Sequence, residues 1–170
     1  MHFHLLVPQL LLASLIALSS AAFALDSDRK QPVSLEANSA VMDEAKGYYI
    51  YSGDVVVTQG SMTIHADSIE IIMDSNNNIE RFLAKGNDST QAHLQQTTES
   101  DGSLLEAWAD ELNYHLAKDI ILLTGNAALH QKGNQFSGDK IEYAVGEEKV
   151  KASAEPNTKQ RVKMIFNPGS

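Results

Sequence analysis

Four positions with short polar side chains recur at regular spacing and are the first candidates for chemistry: Asn38, Asp67, Asp110 and Asp139. Each follows a small residue (Ala37, Ala66, Ala109 and Gly138), and the steps between them are 29, 43 and 29 residues. Paired carboxylates could hydrolyse a glycosidic bond, and a ladder of them could hold metal ions. A hydrolytic pair needs two carboxyl groups converging at one place, about 5–10 Å apart. Here each acid holds the same place in its own repeat, and one of the four is an amide. Repetition spreads them along a structure, where Asp and Asn at corners bond nearby backbone N–H groups. The histidines outside the N-terminal segment, His65, His93, His115 and His130, show neither H-x-x-x-H nor H-E-x-x-H spacing. There is no cysteine to complete a zinc site. His115 and His130 fall on the parity expected to face solvent. No G-x-S-x-G, Walker-type or G-x-G-x-x-G motif occurs. The expectation is a protein that is not an enzyme and carries no metal and no cofactor.

The elements that position these residues are duplicated. YSGDVVVTQGSMTIHADSIEI, residues 51–71, returns without a gap as LTGNAALHQKGNQFSGDKIEY, residues 123–143, an offset of 123 − 51 = 72. Gly53 falls on Gly125, Asp54 on Asn126, Gln59 on Gln131, Asp67 on Asp139 and Ile69 on Ile141. The same offset places Ala37-Asn38 on Ala109-Asp110 and Ala45-Lys46 on Ala117-Lys118. Within each copy the apolar residues alternate as β-strands require, as in Val33, Leu35 and Ala37 against Ser34, Glu36 and Asn38. Met62, Ile64 and Ala66 keep one parity; Ile69, Ile71 and Met73 take the other. The switch falls at the small-residue–Asp/Asn step. A bulge or corner there turns a strand while its apolar side chains stay inward. Asp74–Asn78, Lys85–Asp88 and Pro156-Asn157 read as turns, and Gln91–Gly102 reads as a loop between the copies. Val162, Met164 and Phe166 make a last alternating strand. Glu106–Leu116 has helix-forming composition, which its place in the repeat overrides. Such a chain suits a sandwich, a jelly roll or an open barrel, with two inner faces meeting across the interior.

Length and charge narrow the function. Leu5–Leu18 is an apolar run, and Ala22-Phe23-Ala24 is an A-x-A site before Leu25, so residues 1–24 read as a secretory signal removed after Ala24. The run is shorter than the about 20 residues of a membrane span. Residues 25–32 form a polar, flexible lead-in, 33–166 one domain, and 167–170 a tail. An exported domain without cysteine suits a bacterial periplasm. Thirteen Lys and Arg against 22 Asp and Glu leave a net charge of −9. That excludes a nucleic-acid binder, which needs a basic face, and simple electrostatic adhesion to anionic lipid. Apolar contact must then carry the binding of any ligand.

The inward set is Val33, Leu35, Met42, Tyr51, Val55, Val57, Ile64, Ile69, Ile71, Leu112, Tyr114, Leu116, Leu123, Leu129, Phe136, Ile141 and Tyr143. Residue by residue, a filled core is the simpler reading. Taken together, small members (Ala40, Ala107, Ala127) facing bulky ones, with one Trp and five Phe in the chain, favour an elongated apolar groove for acyl chains. Burial of one methylene stabilises by about 0.8 kcal/mol, so a lipid with several chains needs no charge contact. Val33–Ala37 and Val162–Phe166 are edge strands open to β-augmentation.

These stretches resemble the lipopolysaccharide transport protein A (LptA) family, the OstA-type periplasmic domain. The resemblance rests on Pro32–Ala37, YSGDVVVTQGSMTIHAD, Ala109–Asp119, LLTGNAALHQ and GDKIEY, and runs from Pro32 to Phe166. It implies a twisted, open antiparallel β-jelly roll built from repeated hairpins, which binds the lipid A part of lipopolysaccharide inside. It also implies head-to-tail homo-oligomers that bridge an inner-membrane export complex, through LptC, to the outer-membrane protein LptD. The family's lipid contacts would fall on Val33, Leu35, Tyr114 and Leu116. The alternatives are a periplasmic carrier of other lipids and a structural envelope module with a filled core.

Overall fold

The computed structural model describes residues 28–98, 101–156 and 160–168. The expected signal segment, 1–24, lies outside them. Twelve strands follow a 3-10 turn at Asp28–Lys30: β1 Val33–Glu36, β2 Ser39–Asp43, β3 Tyr48–Gln59, β4 Met62–Met73, β5 Ile79–Lys85 and β6 Ala92–Thr97. Then come β7 Leu104–Ala109, β8 Glu111–His115, β9 Ile120–Gln131, β10 Asn134–Ala144, β11 Lys149–Ser153 and β12 Lys163–Ile165. All pairings are antiparallel.

The four long strands β3, β4, β9 and β10 each bend in the middle and pass from one layer to the other. The first layer runs β1, β3, β4, β6, β7, β9, β10, β12. The second runs β2, β3, β4, β5, β8, β9, β10, β11. Strands β1–β6 make one copy and β7–β12 the other; the copies join through β6–β7 in the first layer and β5–β8 in the second. Among the described residues the sheet does not close on itself, and β1 and β2 lie at one end with β11 and β12 at the other. Of the sandwich, jelly roll and open barrel that the repeat allows, this is the open jelly roll that the family resemblance implies.

The bends have a local cause. Gly53 has φ 80° and Asp54 φ 47°, and Gly125 and Asn126 repeat this at 78° and 46°. Two successive left-handed residues shift the register between Ser52 and Val55 and reverse which parity faces inward. β10 shifts at Gly138/Lys140, its own small-residue–Asp step. The recurring acids and amides tie neighbouring bends together. Asp110 accepts from Asn126 Nδ2 at 2.9 Å and Gln91 Nε2 at 3.2 Å, and Asp67 from Asn87 Nδ2 at 3.2 Å. Asp139 accepts from the Glu155 backbone N–H at 2.7 Å, and Asn38 donates to Asp54 at 3.3 Å.

Two expectations are corrected. Gln91–Gly102 is not a loop throughout: Ala92–Thr97 is a strand inserted between β4 and β7. Ala92, Leu94 and Gln96 point inward, and the polar side chains between them hid the alternation. Met42 is not interior but 60% exposed. Its repeat mate Tyr114 is buried because β8 has neighbours on both sides, whereas among the described residues β2 pairs only with β3. The lead-in is anchored in part. Asp28 is buried, and its carboxylate accepts from the Ser61 backbone N–H, the Ser61 hydroxyl and Gln96 Nε2.

Candidate functional site: the interior and its rim

Because parity reverses at every bend, both layers present apolar side chains to the same space. Val55, Val57, Ile64, Ile69, Leu112, Leu123, Leu129, Ile141 and Tyr143 are at most 1% exposed, and Ile71 and Tyr114 are also buried. Val33, Leu35, Tyr51, Leu116 and Phe136 are half-buried against this cluster. Sixteen of the seventeen residues expected inside therefore converge there; Met42 does not. The expected list omitted Met62, Phe82, Ala84, Ala92, Leu94, Leu105 and Ile121, all buried in the same cluster. Cross-strand pairing gives the missing signal. Phe82 faces Tyr114 and Ala84 faces Leu112, while Leu83, the more obvious hydrophobe, points outward.

The inward rows end in amides. Gln59, Gln96 and Gln131 are buried at the hairpin tips of the first layer, and Gln59 Nε2 donates to the Gln31 carbonyl at 3.1 Å. Next to this polar rim, burial pushes the Tyr143 hydroxyl up to about 12. The bends close one long seam. The opposite seam is a rim of hairpin turns, where Lys132 Nζ of the β9–β10 turn meets Glu148 Oε2 beyond β10 at 2.7 Å and Asp101 Oδ2 at 3.0 Å.

The histidines lie outside. On the outer face of the first layer His93 stacks on Trp108 at 4.8 Å, with His65 at 6.4 Å from His93 and His130 edge-on to Trp108 at 4.9 Å. Partial burial lowers the His93 pKa, and the neighbouring Glu106 partly offsets that. Among the described residues no cluster of three or more His, Asp or Glu is placed to hold a metal ion.

Two bent layers around an apolar interior, with the recurring acids engaged in holding the bends, define a binding or scaffolding jelly roll. The family described as LptA/(LptD N-terminal domain) LPS transport protein matches residues 34–149. The chain belongs to this family, and the family consists of transport proteins rather than enzymes. It is 33% identical over 155 residues to the lipopolysaccharide export system protein LptH of Pseudomonas aeruginosa, covering 88% of this chain and 87% of that one. It is 33% identical over 159 residues to LptA of Escherichia coli K12, covering 93% and 83% respectively. The crystal structure of LptH, "the LptA homologous periplasmic component of the conserved lipopolysaccharide transport device", superposes with a TM-score of 0.74 at 30% identity. That match covers 84% of this chain and 99% of the other.

Proposed function

We propose that this protein is a periplasmic carrier that holds the lipid A acyl chains of lipopolysaccharide between its two layers. It would be exported with removal of residues 1–24, and its open edges would pair with further strands to bridge the two membranes. The observation that carries the reading is the uninterrupted interior. The apolar rows of the two copies run into each other where Phe82 meets Tyr114 and Leu94 meets Ala107, making one long greasy surface. The relatives' roles in lipopolysaccharide export support the choice of lipid. The edges β1/β2 and β11/β12 would receive LptC on one side and LptD on the other, or a second copy of the chain.

Photo-crosslinking residues placed at Leu35 and Leu116, at the margin of the interior, are expected to capture lipopolysaccharide, whereas one at His130 on the outer face is not. Leu35→Asp removes an apolar contact of about 1.5–3 kcal/mol, so lipid affinity should fall about ten- to a hundredfold; His130→Ala should leave it unchanged. Equal capture from both faces would reject the assignment of the interior. The tight burial of the core favours a second reading, a structural envelope module with a filled interior. A native mass spectrum decides between them: bound lipid A supports the carrier, and its absence from protein made in lipopolysaccharide-producing cells supports the module.

A further inference from the structure

We infer that acyl chains enter and leave sideways, through the rim of the second copy, and that Lys132 and Glu148 form the latch on that rim. This rests on the proposal that lipid binds between the layers. The core is packed, so a ligand gains room only where the layers part. They cannot part along the bends, where β3, β4, β9 and β10 run unbroken from one layer to the other. The opposite rim is joined by side chains. Lys132 belongs to a tip of the first layer, Glu148 to a tip of the second, and their 2.7 Å contact spans the mouth. Asp101, on the neighbouring tip of the first layer, holds the same ammonium group at 3.0 Å.

Backbone conformation singles out the same two residues. Six described residues other than glycine have positive φ; four are Asp or Asn, whose short polar side chains tolerate that region, and the remaining two are Lys132 and Glu148, both at 50°. In the first copy the position of Lys132 is taken by Gly60, with φ 59°. Glycine would relax the second turn too, yet the chain carries two long charged residues there, and they bind each other. Strain kept at a contact between the two layers is what a latch on their parting would need.

Just inside the latch are two buried donors. The Gln131 amide lies beside the Tyr143 phenol, close to Lys132 and Glu148. Gln131 Nε2 and the Tyr143 hydroxyl meet each other only loosely, short of full hydrogen-bonding geometry. Buried polar groups bonded so poorly are costly, and the ester or amide carbonyl that begins an acyl chain would accept from both.

The test follows uptake of a pyrene-acylated lipid A by the full mature protein. The chain lacks cysteine, so Lys132→Cys with Glu148→Cys gives a single pair of thiols. A reducible bis-thiol crosslinker as long as the two original side chains bridges them where a direct disulfide would be too short. Crosslinked, this variant should take up no probe, and reduction of the linker should restore uptake. Lys132→Gly should load about two- to fivefold faster than wild type while its thermal midpoint stays the same or rises, because the turn is relieved of strain. Uptake by the crosslinked variant, its bridge verified by mass, at the same rate as the reduced variant would overturn the latch and leave the carrier reading standing. A wild-type protein that takes up no probe would overturn both.

Discussion

Gly125→Ala is expected to destabilise the protein by about 2–4 kcal/mol, out of the 5–15 kcal/mol typical of a whole domain. Two costs combine. Alanine at φ 78° is itself strained by about 1–2 kcal/mol. A Cβ there would also stand 2.5 Å from Asp110 Oδ2 and 2.9 Å from its Cβ, closer than atoms can remain. Asp110 cannot swing away without loss, because Asn126 and Gln91 both donate to it, and each such bond contributes about 0.5–1.5 kcal/mol. Gly102→Ala is the control. That residue has φ 71° but nothing within 4 Å of the added carbon, so only the conformational cost of about 1–2 kcal/mol applies. Urea unfolding of both variants checks the difference. Equal losses would mean that backbone conformation alone, and not the seat against Asp110, makes this glycine necessary.

The bend explains both what could be read from the sequence and what could not. The small-residue–Asp/Asn step was visible because it repeats, and its parity switch fixed which side chains face inward on β4 and β10. The acids read as structural for the same reason: a catalytic pair occurs once, whereas a corner recurs. β6 was hidden because its outward residues His93 and Gln95 are polar and its inward row ends in Gln96, so hydropathy alone shows too little contrast. Met42 was misplaced because the repeat assigns equivalent faces to equivalent residues. It cannot say that the first copy lacks a neighbour on its outer side. The rim latch was invisible. It joins residues 132 and 148 across two layers, and the left-handed conformation of a Lys and a Glu has no compositional signature.

That missing neighbour also allows the register of an end-to-end contact to be worked out in advance. The chain already contains one such junction, between its own copies. β7 and β8 repeat β1 and β2 at an offset of 72, while β11 and β12 stand where β5 and β6 stand. Ile69 faces Ala84 as Ile141 faces Ala152, and Thr63 faces Gln95 as Gln135 faces Ile165. The internal pairs His93–Trp108, Leu94–Ala107 and Gln96–Leu105 then translate into Lys163, Met164 and Phe166 against Glu36, Leu35 and Val33 of a second copy. Arg81–His115 and Phe82–Tyr114 become Lys149 against Asp43 and Val150 against Met42. In such a pair opposite charges would meet at two positions, and the side chains bare at the ends, Met42 at 60% and Phe166 at 64% exposure, would be covered.

If copies pair end to end as proposed, Met164→Asp with Phe166→Asp is expected to leave the protein monomeric at concentrations where the unsubstituted chain would associate. Two apolar contacts of about 1.5–3 kcal/mol each are lost, a weakening of at least about a hundredfold. Lys163→Glu alone should weaken association by placing two carboxylates opposite each other, and adding Glu36→Lys should restore it. Sedimentation equilibrium measures both. Glu36→Cys with Lys163→Cys should give a ladder of disulfide-linked species on oxidation, and Ser34→Cys with Lys163→Cys should not. A ladder from the second pair instead would mean that the copies meet in a register other than the one the chain uses within itself.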